Sequence, residues 1–458
     1  MVSIHQMKGQ ALMSDFKSGT KIKLTNGGTV TVKSKIGEGG QGSVYKVDYD
    51  GKDYALKWYL PTYLKSLKPN CKKFYQNLVD NVTSGSPSDQ FLWMKAVAVT
   101  GAHSKGFGYI MDLRPQNYAE FTKFIKAKEH FASTEAVITA AIHVVEAFQA
   151  LHRKGLSYQD LSPGNFFIDK KTGDVLICDN DNVAPNGDNL GVGGTPGYMA
   201  PEVVLGTSKP STDTDLFSLS VILFELFFLA HPLEGANCCK YPCLTQQIEK
   251  DLYAIHPVFV CSNTDRSNAP VRGTSSNLMN LWPIYPEYLH DAFQQAFSED
   301  GLKNGSKRLS EMAWKRVLYR LLDDAVICPG CGEINFASMA TDGVFSCTVP
   351  GCRKRAAVPV KIEVGGTEIV AGKGKTVTEA HVSYGSRDTV VGSFMESKKT
   401  PGAFGLRNDS SQIWAVNYPG KPMMNYEPGK TVSLIPGTII QIGNKSVRVL
   451  SSAPDAQS

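Results

Sequence analysis

The stretch that decides the fold of this chain is LHRKGLSYQDLSPGN, residues 151–165. It is followed by Cys178-Asp179-Asn180-Asp181, in which Asp179 lies fourteen residues after Asn165. The two segments therefore place Asp160, Asn165 and Asp179 at a fixed spacing. On its own this pattern is also compatible with a polar loop and a turn, so the flanking motifs decide its meaning.

A glycine-rich turn lies upstream, between two runs that alternate apolar and polar residues as strands do. Residues 37–44, GEGGQGSV, match G-x-G-x-x-G-x-V, and the second strand-like run argues against a dinucleotide-binding turn, which opens a helix. Glycines here let a backbone approach triphosphate oxygens, and Ile36 and Val44 could hold a purine ring between them. A tight β-turn would explain the glycines equally well. The glycines concerned are Gly37, Gly39 and Gly42.

A lysine ends the next strand-like run. Lys57 closes the segment Tyr54-Ala55-Leu56-Lys57, fifteen residues after Gly42. Ala55 leaves room for an adenine, and Lys57 can reach the α and β phosphates of a nucleotide. A lysine on a strand is usually just solvated, and it is the distance from the glycine turn that favours a phosphate ligand.

These segments together resemble the eukaryotic-like protein kinase superfamily, with its catalytic loop H-R-D-L-x-x-x-N and its metal motif D-F-G. The resemblance covers about residues 20–323 and implies a bilobal α+β fold, with a small β lobe before a larger helical one. It implies that Asp160 accepts the proton of a substrate hydroxyl and that Asn165 and Asp179 hold Mg²⁺. Lys57 completes the implied catalytic set. The implied ATP-binding residues are Ile36, Gly37, Gly39, Gly42, Val44, Ala55, Lys57, Met111, Asp112 and Leu113.

Residues 194–202, GTPGYMAPE, match the end of a kinase activation segment, which includes Thr195. By the same resemblance, Asp215 is the aspartate that braces the catalytic loop. Arg308 is placed to pair with Glu202. These features separate protein kinases from small-molecule phosphotransferases of related fold.

The catalytic loop departs from the family pattern, because Tyr158 and Gln159 stand where a histidine and an arginine precede the aspartate. That arginine normally pairs with a phosphate on the activation segment. Residues 182–194, NVAPNGDNLGVGG, contain no serine, threonine or tyrosine to carry one. The sequence therefore predicts an activity that does not depend on phosphorylation of this segment.

The metal motif, Asp179-Asn180-Asp181, lacks the phenylalanine and glycine of the family. Asp181 is either a supplementary metal ligand or a solvated turn residue, and the sequence favours the turn. Ser162 stands where Ser/Thr kinases carry a lysine that neutralises the transferred phosphate.

The glutamate that pairs with the strand lysine in active kinases is also missing, since no glutamate lies between Glu38 and Glu120. Gln76 and Asp80, on the predicted helix after the lysine, are the nearby polar substitutes. The sequence therefore predicts either a loosely held Lys57 or a helix whose inward position needs a partner.

Four cysteines form two close pairs, Cys328-Pro329-Gly330-Cys331 and Cys347-x4-Cys352, separated by 15 residues. Thiolates at this spacing suit a tetrahedral structural zinc ion. We therefore predict a four-cysteine zinc ribbon over residues 324–358, with protein ligands at all four positions and none open for catalysis. The other six cysteines are predicted to be ordinary thiols.

Residues 359–451 consist of short β-branched runs between glycines and prolines, the pattern of a small β-sandwich. They resemble a forkhead-associated domain in its closing strands, at residues 406–414, 428–430 and 435–443. The phosphothreonine-reading G-R and S-R-x-H segments of that family are missing, and residues 383–387 (SYGSR) are a poor replacement. We expect a degenerate module used for protein contacts or packing, followed by a frayed tail at residues 452–458.

The composition of the 458-residue chain, 42% hydrophobic and 20% charged, is that of a globular protein of about two to four domains. A net charge of +5 is too small to indicate nucleic acid or an anionic membrane as the main partner. The N-terminus has no apolar run, and the most apolar segment, residues 216–230, contains Glu225 and predicts a buried helix. We therefore expect a cytoplasmic protein without a membrane partner.

Kinase, four-cysteine ribbon and degenerate forkhead-associated module together resemble bacterial kinases encoded with a von Willebrand A protein and a metal-dependent protein phosphatase in tellurite-resistance-type stress clusters. The resemblance implies a Ser/Thr protein kinase that uses ATP, Mg²⁺ and structural Zn²⁺, with those two proteins as partners or substrates. The alternative is a nucleotide-binding pseudokinase that assembles the same partners. The missing glutamate, the altered metal motif and Ser162 favour that alternative.

Overall fold

The computed structural model describes residues 15–100, 106–191, 194–383 and 385–451. The tail predicted at residues 452–458 lies outside these residues, as does Tyr384. The chain divides into two compact units. The first comprises Met1–His130, His143–Pro270 and Gln295–Glu311, and the second comprises Phe131–Ile142, Val271–Gln294 and Met312–Ser458. The domain boundaries predicted at residues 323 and 358 remain predictions.

Six antiparallel strands of the first unit close into a barrel, in the order β1-β2-β3-β4-β6-β5. Alternate side chains point inward, and Ile22, Val30 and Val47 belong to their shared core. β1 pairs with both β2 and β5, and the pair Lys23–Val99 closes the barrel. The β-rich lobe predicted from the sequence is thereby confirmed. The strands are β1 (Lys21–Leu24), β2 (Thr29–Glu38), β3 (Gly42–Tyr49), β4 (Lys52–Tyr59), β5 (Met94–Val99) and β6 (Phe107–Asp112).

Two helices, α1 (Pro61–Ser66) and α2 (Cys71–Ser84), connect β4 to β5. The buried residues of α2 are spaced three and four apart and share one face, which carries Asn77 and Asn81. The side-chain amides of both asparagines donate to the carbonyl oxygen of Val183, at 2.7 and 3.0 Å. Two amide hydrogen bonds therefore attach α2 to the chain just after the metal motif.

The helix with the most deeply buried surface is α6 (Thr212–Phe228), in which most side chains are buried. A capping box formed by Ser211 and Thr214 begins this helix. It ends at Leu229, which adopts a left-handed conformation with φ of 49°. This is the buried helix that the sequence predicts over residues 216–230.

One described helix, α4 (Thr134–Arg153), is long and apolar enough to cross a membrane by length and composition. Of its most apolar window, 61% is buried inside the folded chain, as in the core helix of a globular protein. The other described α-helices before residue 325 are α3 (Phe121–Ile125), α5 (Pro201–Val204), α7 (Gln246–Lys250), α8 (Ser276–Leu281), α9 (Glu287–Ala296), α10 (Glu299–Lys303) and α11 (Glu311–Asp324).

Short strand pairs hold the two loops of the predicted catalytic and metal motifs. β8 and β9 flank residues 159–165, and β10 and β11 flank residues 178–182. Because β8 pairs with β11 and β9 pairs with β10, the two loops are fixed beside each other at both ends. The strands are β7 (Tyr118–Glu120), which also pairs with β9, then β8 (Leu156–Tyr158), β9 (Phe166–Asp169), β10 (Val175–Ile177) and β11 (Val183–Pro185).

The second unit ends in a region built almost entirely from strands. Two short hairpins are followed by a six-stranded sheet, in the order β17-β16-β25-β24-β21-β22, and a four-stranded sheet, β18-β19-β20-β23. The sheets pack face to face, because Ile362 and Trp414 of the larger and Leu406 and Val432 of the smaller share one buried core. An all-β region after the helical part of the chain is thus confirmed.

The hairpins of this region are β12 (Ala325–Ile327) with β13 (Ile334–Phe336) and β14 (Val344–Ser346) with β15 (Arg355–Ala357). The larger sheet contains β16 (Lys361–Val364), β17 (Thr367–Val370), β21 (Trp414–Asn417), β22 (Met424–Tyr426), β24 (Ile439–Ile442) and β25 (Lys445–Val449). The smaller sheet contains β18 (Thr376–Thr378), β19 (Val390–Glu396), β20 (Phe404–Asn408) and β23 (Thr431–Ser433), and a short helix, α12 (Glu379–Val382), follows β18.

Candidate functional site

The glycine turn connects β2 to β3, and the backbone N–H of Gly39 donates to the carbonyl of Gly42 at 2.9 Å across it. Gly42 has to be glycine, because a Cβ there would lie 2.5 Å from the carbonyl oxygen of Trp58 on β4. A Cβ at Gly37 would meet nothing closer than 3.8 Å, and one at Gly39 would meet nothing within 4 Å. The turn therefore leaves room for a ligand beside two of its three predicted glycines.

The residues predicted to contact adenine lie around β4 and β6. Ala55 and Met111 face each other across these strands, and both are buried. Ile36 is 50% exposed, so its apolar side chain is available to a ligand. The carboxylate of Asp112 is 2.9 Å from the ammonium of Lys95. Val44 and Leu113 are partly buried.

Lys57 lies on β4 with its side chain buried among three acceptors. Its Nζ is 2.9 Å from Oδ2 of Asp181, 3.3 Å from Oδ1 of Asp179 and 2.8 Å from Oε1 of Gln41. Burial alone would lower the pKa of Lys57, but the carboxylates of Asp181 and Asp179 outweigh it and raise the pKa. Lys57 is therefore a fixed positive charge at neutral pH.

Asp160 lies in the loop after β8, and Thr195 holds one of its carboxylate oxygens. The backbone N–H and the hydroxyl of Thr195 both donate to Oδ1, at 2.9 and 2.8 Å. Burial raises the pKa of Asp160, an effect that the Thr195 hydrogen bonds oppose. Oδ1 is thus occupied by the activation segment, and the other oxygen is left to accept a proton.

Asn165 and Asp179 are joined to Asp160 through the backbone. The side-chain N–H of Asn165 donates to the carbonyl of Asp160 at 2.8 Å, and the N–H of Cys178 donates to the carbonyl of Asn165 at 2.8 Å. The amide oxygen of Asn165 and the carboxylate of Asp179, which is 42% exposed, are therefore left as oxygen ligands for a metal ion. Carboxylate and amide oxygens are the ligands that Mg²⁺ takes in proteins, so these residues fit the ion.

Tyr158 stands where the family pattern has a histidine, and it braces the catalytic loop. Its hydroxyl donates to the carbonyl oxygens of Cys178 and Asp179, the latter at 3.2 Å. Its backbone N–H donates to Oδ2 of Asp215 at 2.7 Å. Tyr158 therefore connects the catalytic loop both to the metal motif and to the aspartate on α6.

The structure corrects the interpretation of Asp181 as a solvated turn residue. Asp181 does lie in a single helical turn, residues 180–182, but its side chain is 0% exposed. Its Oδ2 accepts from the hydroxyl of Tyr59 at 2.5 Å as well as from Lys57. The turn prediction was wrong about solvation because the partners lie on β4, far away along the chain.

The suggested substitutes for the missing glutamate are also corrected. Gln76 donates to Asp80 at 2.9 Å, and this pair is exposed on the outer face of α2. The acceptors of Lys57 come instead from the glycine turn and the metal motif. The sequence of the next helix therefore suggested the wrong residues as partners of Lys57. The signal that could have identified the right one was Asp181, an acidic residue at the position of the glycine in the metal motif.

Gln159 holds the activation segment with neutral hydrogen bonds. Its side-chain N–H donates to the carbonyl of Asp188 at 2.6 Å, and its amide oxygen accepts from the N–H of Leu190 at 3.2 Å. Gln159 stands where the protein kinase pattern has an arginine that pairs with a phosphate. Its hydrogen bonds give a physical basis for holding Asp188 and Leu190 of the activation segment in place without phosphorylation.

We expect Gln159→Ala to lower kcat/KM for phosphoryl transfer by about tenfold, because two hydrogen bonds to the segment are lost. Phosphatase treatment of the wild-type protein should leave its activity unchanged. Steady-state kinetics before and after treatment, together with mass spectrometry of the segment, measure both effects. A wild-type protein inactivated by the phosphatase through this segment would contradict the prediction.

Arg308 and Glu202 form a two-pronged ion pair behind the activation segment. Nη1 lies 2.7 Å from Oε1, and Nη2 lies 2.8 Å from Oε2. The Arg308 side chain is almost completely buried, so the pair is shielded from solvent. Its guanidinium also donates to the carbonyl of Asp213, at the start of α6. The pair therefore connects the end of the activation segment to the buried helix.

His152, at the end of α4, lies between Asp215 and Glu311. Its Nε2 is 3.0 Å from Oδ2 of Asp215, and Nδ1 contacts Glu311. Burial opposes protonation of the ring, but hydrogen bonds from the ring to the two carboxylates outweigh it and raise the pKa of His152 to about 9. The protonated ring is thus part of the bracing of the catalytic loop.

Because the pKa of His152 is higher in the folded chain than its ordinary value of about 6.5, its stabilisation is full below that value and is lost as pH rises toward 9. We expect wild type to lose at most about 3 kcal/mol relative to His152→Asn between these pH values. Denaturation at several pH values tests this. His256→Asn, at a 75% exposed side chain, is the control. A wild-type advantage that stays constant with pH would contradict the prediction.

The four predicted zinc ligands come together in the second unit. The sulfurs of Cys328 and Cys352 are 3.6 Å apart, as are those of Cys331 and Cys347, and all four lie within 4.8 Å of one another. Thiolates about 2.3 Å from a tetrahedral Zn²⁺ lie about 3.8 Å apart, so the set fits the ion. The ten cysteines all lie in the described residues, and none forms a disulfide.

Arg387 belongs to residues 383–387, the segment that replaces the phosphothreonine-reading motif of forkhead-associated domains only poorly. Its guanidinium nitrogens lie 2.9 and 3.2 Å from the carboxylate of Asp323, at the end of α11. The guanidinium also lies 4.0 Å from the centre of the Tyr319 ring. Arg387 is therefore engaged within its own unit.

Comparison with known proteins agrees with this geometry. The family model described as "Protein kinase domain" matches residues 30–281. The chain is 23% identical over 302 residues to the dual specificity protein kinase shkB of Dictyostelium discoideum, covering 64% of this chain and 41% of that protein. It is 34% identical over 113 residues to the serine/threonine-protein kinase sck2 of Schizosaccharomyces pombe, covering 23% and 16%. The human serine/threonine-protein kinase 40 is 29% identical over 109 residues, covering 23% of this chain and 25% of that protein.

The chain spans less than half the length of each of these relatives. With more than half of its residues matched by the family model, the chain belongs to the protein kinase domain family.

Proposed function

We propose that the chain is an ATP- and Mg²⁺-dependent Ser/Thr protein kinase. The observation that carries the proposal is the arrangement of Asp160, Asn165 and Asp179 in two adjoining loops, beside the buried cation of Lys57. A polar loop without a catalytic role does not require a buried lysine at its edge. Burying that charge is costly unless opposite charges pair with it, as Asp181 and Asp179 do here.

The chemistry follows from the free oxygen of Asp160. A serine or threonine hydroxyl of the substrate donates a hydrogen bond to this carboxylate, and its oxygen attacks the γ-phosphorus of ATP. The bond between that phosphorus and the bridging oxygen breaks, ADP leaves, and the hydroxyl proton passes to Asp160. Thr195 fixes the carboxylate orientation through the other oxygen, which reduces the reorganisation needed for the transfer.

Lys57 supplies positive charge for the phosphates, and Asn165 and Asp179 supply the oxygen donors for the metal. Mg²⁺ bound there neutralises negative charge on the phosphates. Ser162 leaves one positive charge fewer near the transferred group than a lysine would, which argues for a slower transfer rather than for none.

The test is transfer of the labelled γ-phosphate from Mg-ATP to candidate substrate proteins, followed by phosphoamino acid analysis. Asp160→Ala provides the catalytic control. Label on serine or threonine with wild type alone supports the proposal. The alternative, a nucleotide-binding scaffold, predicts Mg-ATP binding without transfer to any protein added.

The first substrates to assay are a metal-dependent protein phosphatase and a von Willebrand A protein, which we propose as partners in a bacterial stress-response set. This part of the proposal is supported by the order of modules along the chain. A cytoplasmic location, which belongs to the same proposal, is supported by ten cysteines without a disulfide. Phosphorylation of unrelated proteins only would overturn the assignment of partners.

We also propose a zinc ribbon at the four-cysteine cluster and a degenerate forkhead-associated module in the β-sandwich. The sulfur separations support the first. The engagement of Arg387 by Asp323 supports the second, since the arginine is not free to read a phosphate. A protein-contact role for the module therefore fits better than phosphopeptide recognition.

A further inference from the structure

Asp181 is the most buried charged group in the neighbourhood of the proposed catalytic site, and the chemistry described so far gives it no task. Both of its oxygens lie within 3.2 Å of Nζ of Lys57, and Oδ2 also accepts from Tyr59. A carboxylate whose oxygens are taken up in this way, without solvent exposure, is not placed to bind a metal ion. The second alternative suggested by the sequence, a supplementary metal ligand, therefore does not describe this pose.

The three acceptors of Lys57 differ in how accessible they are to a bound ligand. Gln41 belongs to the glycine turn, and Asp179 is partly exposed and is a proposed metal ligand. A bound nucleotide with its metal ion would compete for both of these contacts. Asp181 is fully enclosed, with 0% of its side chain exposed, so of the three acceptors it is the one that lies out of reach of a ligand.

The turn that carries Asp181 is fixed on both sides. The side-chain N–H of Asn180 donates to the carbonyls of Leu92 and Ile177, at 2.9 and 3.1 Å. The carbonyl of Asn182 accepts from the N–H of Gln159 at 3.1 Å. Asp181 is therefore held on one side by β10 and the segment that leads into β5, and on the other by the catalytic loop, which suits a group that sets the position of another.

Tyr59 completes the arrangement from the same strand as Lys57. Residues two apart on a strand point to the same side, so both side chains reach the one carboxylate. α2 approaches this cluster with an aromatic residue instead of a carboxylate: the ring of Phe74 lies 5.2 Å from that of Tyr59. The helix thus packs against the network without supplying charge to it.

We propose that Asp181 is the positioning residue for Lys57 and takes the place of the missing helix glutamate. The proposal rests on the kinase function proposed above. In this protein the lysine–carboxylate pair is formed within the barrel and the metal motif. α2 holds the carbonyl of Val183, two residues after Asp181, but it supplies neither side chain of the pair.

The test is a double-mutant cycle with Asp181→Asn, Lys57→Met and the double variant, measured both as Mg-ATP affinity by calorimetry and as kcat and KM for transfer. Asp181→Asn should lower kcat/KM by about 10²-fold, because the lysine loses its fixed position. In the Lys57→Met background the same change should have almost no further effect. A residue with a merely structural role would instead give losses that add in both backgrounds, and this result would overturn the proposal.

Two further variants keep the test informative. Asp80→Asn, the matched change on α2, should leave affinity and kinetics unchanged. If Asp181→Asn does not fold, Tyr59→Phe is the substitute, because it removes one hydrogen bond to the carboxylate. It should lower kcat/KM by less than Asp181→Asn, and it should have no effect in the Lys57→Met background. A large effect of Asp80→Asn with none at Asp181 or Tyr59 would reject the assignment. If wild type binds Mg-ATP but transfers no phosphate, the proposed function fails, while the affinity cycle still decides the role of Asp181.

Discussion

Replacing Asp160 with asparagine is expected to reduce kcat for phosphoryl transfer about 10²–10⁴-fold, the usual contribution of a general base. The amide keeps the size of the carboxylate and can still accept from Thr195 through its oxygen. It cannot accept the proton of the substrate hydroxyl. Mg-ATP affinity should change little, because Asn165 contacts the backbone of residue 160 rather than its side chain.

Single-turnover transfer and calorimetric binding of Mg-ATP separate these two effects. The matched control is Asp174→Asn, at a half-exposed aspartate outside the site whose Oδ1 lies 3.6 Å from Nδ1 of His143. It should leave both quantities unchanged. Equal transfer rates for wild type and Asp160→Asn would exclude Asp160 as the proton acceptor.

Loss of one zinc ligand is expected to have the largest effect on stability. A structural zinc ion contributes on the order of 10 kcal/mol to small domains that bind it. Cys331 is exposed, so without a metal its replacement by serine should change stability by no more than about 0.5 kcal/mol. With a metal, Cys331→Ser should lower the Tm of the unit that contains the cluster by about 10 °C or more.

Cys243→Ser is the matched control, since Cys243 is also exposed and lies outside the cluster. Metal analysis should find one zinc ion per wild-type and Cys243→Ser chain and a reduced content in Cys331→Ser. Chelation should reproduce the loss of stability in wild type. Identical melting curves for the two serine variants, with no zinc in either, would show that the four cysteines are not a metal site.

The parts of the fold that the sequence predicted are those with local signals. Alternation of apolar residues around the glycine turn predicted the first strands of the barrel, and a continuous apolar run with Glu225 inside it predicted α6. The spacing of the four cysteines predicted that their sulfurs would lie together, because the ligands of a structural metal site come in pairs a few residues apart. In each case the relevant residues lie close together along the chain.

The role of Asp181 was missed for the opposite reason. Its partner Lys57 lies 124 residues away, and a polar residue in a turn is normally exposed. Burial of that turn depends on Asn180 reaching the carbonyl of Leu92, which no local pattern reveals. The sequence shows both Asp181, an acid in place of the motif's glycine, and Tyr59, two residues after Lys57. The hydrogen bond between these two residues forms only when the chain folds.

The hydrogen bonds of Gln159 have a consequence for how such a kinase can be turned off. A phosphatase has no phosphate to remove from residues 182–194, so it has no means of releasing the segment that Gln159 holds. Under the proposed function, a phosphatase would act on the phosphorylated substrates. The output would then be set by the balance between phosphorylation and dephosphorylation of those substrates and by access to them.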